Sequence, residues 1–216
     1  MSNHTPGPAR RSRAITVIAV MLAALTLPGA PALAGSPGPH SSPAAVPIAA
    51  PAAAVAATWR KLNITMQAQQ LSNWCWAASG NTVAAFYGYS YSQNQFCNLA
   101  FNRSMNSSCP NNQATLGNDQ TAFAAIGIDP GYYYNGYLSY NTVVNEIEAL
   151  RPIITRIQWQ SGGGHMMVIY GYDKSQSWVY WGNPWASSSR YNWGTWSYYV
   201  NNSSFFWTHS LYQIGA

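Results

Sequence analysis

The chemistry-bearing stretch of this chain is Gln69-Gln70-Leu71-Ser72-Asn73-Trp74-Cys75-Trp76-Ala77-Ala78-Ser79, where one cysteine stands between two tryptophans. Polar turn residues give way there to a run that favours a helix. A helix starting at Cys75 would aim its free N–H groups and the positive end of its dipole at the thiol, which favours a nucleophilic thiolate. A cysteine nucleophile also needs a base, a group that orients the base, and a donor for the oxyanion. Past residue 57 the chain holds two histidines, His165 and His209. His165 follows three glycines at the start of an apolar run, where a substrate can approach, and is the candidate base. His209 lies among Phe205, Phe206 and Trp207, which suits a structural role.

Asp173 and Asn183 compete to orient His165. Asp173 is eight residues along the same run, about 26 Å away in extended chain, and reads as a turn residue. A reversal near Lys174 places position 183 beside position 165, and Trp181-Gly182-Asn183-Pro184-Trp185 surrounds that asparagine with rings. Its carbonyl would accept from His165 Nδ1–H and set the tautomer. For the oxyanion, Gln67, Gln69 and Gln70 are all close enough before Cys75 to bring an amide beside its backbone N–H.

The elements that must position these groups follow in order. Trp59–Met66 alternates as a strand, and Gln67–Asn73 is a polar loop. Cys75–Tyr87 is a helix with Gly88 as its stop, and Gly80 within it permits close packing. Tyr89–Asn112 is loop-rich. Short helices are expected over Asp119–Ile126 and over Thr142–Leu150, the latter capped by Asn141. Strands follow at Ile153–Trp159, His165–Tyr172 and Trp178–Trp181, with Ser161–Gly164 a loop and Asp173–Ser177 a turn. Trp193–Val200 and Ser204–Tyr212 form a further pair around Asn201-Asn202. Helices first and strands later define an α+β class with an antiparallel sheet.

Arg10, Arg11 and Arg13 precede the apolar run Ala14–Leu27, and Ala32-Leu33-Ala34 ends it. This is the pattern of a secretory signal peptide over 1–34, and the run is short of the ~20 apolar residues of a membrane span. Residues 35–57 are a Pro/Ala-rich linker or short pro-segment, disordered on composition, and 58–216 form the catalytic domain. The expected product is a secreted, extracellular monomer without stable membrane association after cleavage. The formal charge of +5 falls to +2 once the three arginines of the signal are removed. No basic stripe of the nucleic-acid-binding kind is present. Metal binding and cofactors are not expected, since there is no Cys-x2-Cys, histidine pair or acidic cluster.

The three cysteines, Cys75, Cys97 and Cys109, allow three pairings. Cys97 and Cys109 flank the polar stretch Asn98–Ser108 and are the natural couple, which leaves Cys75 unpaired in an oxidising compartment.

Gln69-x5-Cys75-Trp76-Ala77, Gly-Gly-His165 before an apolar strand, and Asn183 between Gly182 and Pro184 resemble the papain-like cysteine proteases. The N-W-C-W-A-A and G-G-G-H-x-x-V-I-x-G-Y forms look most like a bacterial branch that includes a self-processing effector protease of plant pathogens. The resemblance spans roughly Leu62 to Trp185. It implies a helical half carrying Cys75, a sheet half carrying His165 and Asn183, a cleft between them, and Gln69 as the oxyanion residue. Asn183 departs from the Asp-Pro carried by many members of that branch. The reading is a peptidase acting on protein or peptide through a Cys-His-Asn acyl-enzyme. Two alternatives are a glutamine deamidase or transamidase with the same triad, and a non-catalytic peptide- or glycan-binding module. The second draws on six of the ten tryptophans lying between Trp178 and Trp207.

Overall fold

The computed structural model describes residues 57–216. The expected signal peptide and nearly all of the linker lie outside the described residues. The elements run β1 (Trp59–Lys61), α1 (Cys75–Phe86), α2 (Gln93–Ala100), α3 (Leu116–Ala125), β2 (Tyr132–Tyr134) and α4 (Tyr140–Glu148). Then come β3 (Ile153–Trp159), β4 (Gly164–Asp173), β5 (Trp178–Gly182), β6 (Tyr191–Thr195), α5 (Trp196–Val200) and β7 (Phe205–Tyr212). The sheet is antiparallel in the order β2-β7-β3-β4-β5-β6, and β1 pairs with the end of β4 that β3 leaves open. This is the expected α+β arrangement of helices packed on one antiparallel sheet.

β4 is the central strand. From His165 to Tyr172 every residue is buried, because β4 has strands on both edges and α1 and α4 against it. Gly162 and Gly163 make the tight turn from β3 to β4 at φ 94° and 83°, a region costly for residues with a Cβ. The turn is closed by Trp159 N–H donating to Gly163 O at 3.0 Å and Gly162 N–H to Trp159 O at 2.9 Å.

α1 packs on β4 through an almost wholly buried run, Trp76 to Ala84. Gly80 permits that approach. A Cβ there would lie 2.5 Å from the Phe96 ring and 2.7 Å from Asp119 Oδ1. Ser79 Oγ donates to Met166 O at 3.2 Å, a strut between the element that carries Cys75 and the strand that carries His165. The helix ends at Phe86 with Tyr87 as its cap, and Gly88, at φ 90°, is the stop just beyond it, as expected.

Several elements differ from the sequence expectation. The stretch read as loop-rich contains α2, nucleated by a capping box in which Ser92 Oγ accepts from Gln95 N–H and Gln95 Oε1 from Ser92 N–H. The cap of α4 is Ser139, whose Oγ accepts from Thr142 N–H at 3.1 Å, not Asn141. The first strand stops at Lys61, where its pairing with β4 ends. Trp193–Val200 is not one strand. The chain leaves β6 at Thr195, whose hydroxyl caps the short α5. β7 therefore pairs with β3 and β2, and its contact with the preceding segment is an isolated Asn201–Phe206 bridge and ring packing of Tyr198 and Tyr199 on Phe205 and Trp207, not a strand pair. Among the described residues no helix is long and apolar enough to cross a membrane.

Candidate active site

Cys75 is the first residue of α1. Its preceding cap, Trp74, makes no side-chain capping bond. The first in-helix bond runs from Ala78 N–H to Trp74 O, so the N–H groups of Cys75, Trp76 and Ala77 have no helical acceptor. The tryptophans on either side of Cys75 fasten this end of the helix. Trp74 Nε1–H donates to Pro110 O at 3.2 Å, and Trp76 Nε1–H to Asn112 O at 3.0 Å. Asn111 between them accepts from Asn73 N–H through Oδ1 and from Asn73 Nδ2 through its carbonyl, and donates to Ser72 Oγ. Residues 110–112 follow directly on the Cys97–Cys109 disulfide. The disulfide thus secures the clamp on the helix that begins at Cys75, and Cys75 is left as the free cysteine.

His165 is 1% exposed. Trp159 stacks on its ring at 5.7 Å and Trp185 meets it edge-on at 5.5 Å. Its Nε2 lies 2.8 Å from Asn183 Oδ1. A carboxamide oxygen only accepts, so Nε2 carries the hydrogen. This corrects the expectation that Nδ1 would be the atom bound to Asn183. Nδ1 is buried without a protein partner, so its lone pair is uncommitted. The chain reverses about a residue later than Lys174, with Val168 opposite Gly182 and Asp173 opposite Trp178. Asn183 nonetheless reaches His165 because it sits just past the end of β5. Its Oδ1 also accepts from Trp185 N–H at 2.9 Å, and Arg190 Nη1 holds its carbonyl at 2.6 Å. Asp173 is a turn residue, accepting from Ser175 N–H and Oγ.

Cys75 and His165 line one cavity of about 100 Å³ together with Asn73, Arg156, Gly164 and Met166. Burial pushes the Cys75 thiol above its ordinary pKa, against the pull of the Met166 and Trp76 N–H groups beside it, and the nearby Asp119 adds to the rise. The expected lowering by the helix N-terminus is therefore outweighed. Burial also pushes His165 below the usual imidazole range, partly offset by Asn183. Burial thus biases each group towards its neutral form.

Gln69 is placed differently from the expectation. Its Nε2 donates to Leu71 O at 3.0 Å and to Ser72 O at 2.9 Å, which engages both amide hydrogens. The turn before Cys75 folds back over the side chain and takes its donors. The Gln69 backbone N–H donates to Pro184 O at 2.8 Å, joining this turn to the Asn183 loop. Gln67 is held through its Oε1, which accepts from Asn81 and Gln93, and Gln70 through its backbone N–H, which donates to Gln93 Oε1. His209, expected to be structural, is only half buried and lines a second cavity with Arg156. Among the described residues no cluster of three His, Cys, Asp or Glu stands ready to hold a metal.

A helix that begins on a cysteine, packed on an antiparallel sheet that carries histidine at a strand start and asparagine just past a strand end, defines a papain-like cysteine protease. The chain belongs to the family described as papain-like cysteine protease AvrRpt2, whose model matches residues 57–203. No curated protein matches it. One similar solved structure is a double glycine motif protease from an AMS/PCAT transporter in complex with the leader peptide. It covers 70% of this chain and 92% of that one, at 19% identity and a TM-score of 0.44.

Proposed function

We propose that this papain-like protease is a secreted peptidase that cuts peptide bonds with Cys75 as nucleophile, His165 as base and Asn183 as orienting residue. The observation that carries this reading is the partnerless Nδ1 of His165, in the same cavity wall as Cys75, while Nε2 is committed to Asn183. Cys75 Sγ attacks the substrate carbonyl carbon as its proton passes to His165 Nδ1. The oxyanion lies against the N–H groups of Cys75 and Trp76 at the start of α1, which have no acceptor within the helix. Gln69 contributes by locking the turn that presents them. The C–N bond breaks as Nδ1–H protonates the leaving amine. Water, deprotonated by Nδ1, then releases the acid from the thioester.

Export accords with a paired Cys97–Cys109 beside a free Cys75, which suits an oxidising compartment. The test is to express the full chain with its leader and to measure intact mass in the medium, then to titrate iodoacetamide without reductant. One adduct at Cys75, with turnover lost in both Cys75→Ala and His165→Ala while thermal unfolding is kept, is expected. Turnover surviving in either variant would remove the mechanism.

A further inference from the structure

The chain has five acidic residues, and none of them meets Arg156. Glu146 pairs with Arg151 and Glu148 with Arg60. Asp129 and Asp173 accept from their own turns, and Asp119 is buried on α3. Arg156 is half buried on β3, and its guanidinium bonds only to neutral oxygens: Nη1–H to Thr208 Oγ1 at 2.9 Å and Nη2–H to Gln158 Oε1 at 3.0 Å. Three of its five N–H groups have no protein acceptor. A half-buried cation with no counter-charge is an incomplete site.

Its position gives that incompleteness a use. Arg156 forms part of the cavity that holds Cys75 and His165, and also part of an adjoining cavity of about 280 Å³ lined by Met166, Tyr133 and His209. The guanidinium lies across Gly164, the residue before His165. A Cβ at Gly164 would come within 2.6 Å of Nη2, so only glycine lets the cation lie there. His209 adds no second charge, because burial and the neighbouring Arg156 hold it below the usual imidazole range.

We propose that Arg156 is a carboxylate subsite, and that this peptidase selects substrates with an aspartate or glutamate side chain within a few residues of the scissile bond. The proposal rests on the peptidase reading. An alternative role for Arg156, tying β3 to β7 through Thr208, predicts no selectivity by charge.

The test uses the full mature protein and peptides that differ only by Glu against Gln, walked through each position around the cleaved bond. Each is made with a free and an amidated C-terminus. Wild type should favour Glu at one position by ~10- to 100-fold in kcat/KM, as expected for a charge-assisted bidentate pair. The Glu/Gln ratio should fall to near one in Arg156→Gln and stay intermediate in Arg156→Lys. A ratio taken within each variant cancels any common loss of activity. Gly164→Ala, which keeps the charge but displaces the guanidinium, should also lower the ratio. A second readout needs no turnover. Cys75 alkylation by anionic iodoacetate relative to neutral iodoacetamide should drop by about tenfold in Arg156→Gln.

If wild type cuts no peptide, the peptidase reading fails and the alkylation ratio still tests the subsite. No Glu preference at any position overturns the proposal, as does a preference that survives Arg156→Gln. A preference only for a free terminal carboxylate overturns the side-chain assignment.

Discussion

Asn183 can be changed in two ways that separate orientation from charge. Its Oδ1 accepts both His165 Nε2–H, at 2.8 Å, and Trp185 N–H, at 2.9 Å. Asn183→Ala removes both acceptors. Trp185 is exposed, so water can satisfy its N–H, but the His165 ring is 1% exposed and its donor is stranded. A stranded buried donor costs about 1–3 kcal/mol, and a bond to the imidazolium formed during turnover is worth about 1.5–3 kcal/mol. At 1.36 kcal/mol per tenfold, kcat/KM should fall by ~10- to 100-fold. Asn183→Asp keeps both acceptor contacts and adds a negative charge beside Nε2. That charge favours the imidazolium. The rate should survive to within about tenfold of wild type, and the alkaline limb of the pH–rate profile, where imidazolium is lost, should move to higher pH. The assay is kcat/KM on one fluorogenic peptide across a wide pH range, with thermal unfolding of each variant as a control for folding. Unchanged kcat/KM in Asn183→Ala would refute the orienting role. An alkaline limb that stays in place in Asn183→Asp would refute the assignment of Nε2.

Three further outcomes concern the scaffold. Cys97→Ser with Cys109→Ser opens a closed loop of sequence separation 12, which should cost about 3 kcal/mol in urea unfolding, with a fall in kcat because the 110–112 clamp loosens. Gly80→Ala drives a Cβ into the buried Phe96 ring. Overpacking of about 1–3 kcal/mol should outweigh Ala's helix advantage of about 1 kcal/mol, and calorimetry should show a net loss. Asp119 is buried with both oxygens unpartnered, and burial holds its carboxyl well above the usual range. Folded Asp119 therefore keeps its proton after the unfolded chain has lost its own, so stability drains away as pH rises above about 4. Asp119→Asn should raise the unfolding temperature at neutral pH and change it little near pH ~4. An increment equal at both pH values would contradict this.

What was legible in the sequence tracks what short-range physics controls. β3 was readable to the residue, and β4 and β5 to within one residue, because the turns between them end their apolar runs sharply. α1 was readable from its start at Cys75 and from Gly88 at its end. α2 was not, because its polar and aromatic residues look like a loop unless the Ser92-x-x-Gln95 box is weighed above composition. β2 is three exposed tyrosines without alternation, held only by pairing with β7, which is far away in sequence. The break between β6 and α5 depends on one capping hydroxyl, that of Thr195. In the candidate site, the residue types and spacing of Cys75, His165 and Asn183 anticipated that His165 would meet Asn183 and share a cavity with Cys75. The choice of Nε2 over Nδ1 was not legible, since it depends on how the ring leaves β4. Gln69's engaged amide and the place of Arg156 at the cleft are set by the fold of the 70–74 turn and the pairing of β3 with β7. No local pattern announces either.

The clamp on α1 has a consequence for how the chain can drift under mutation. Trp74 and Trp76 read the backbone carbonyls of residues 110 and 112, which every amino acid carries. Position 111 is read partly through its own amide. The constraint therefore falls on alternate positions, and side-chain identity carries information at 111 and little at 112. A saturation library over 74, 76 and 110–112 should return Asn112 replaced freely, Asn111 held nearly fixed, and the two tryptophans retained.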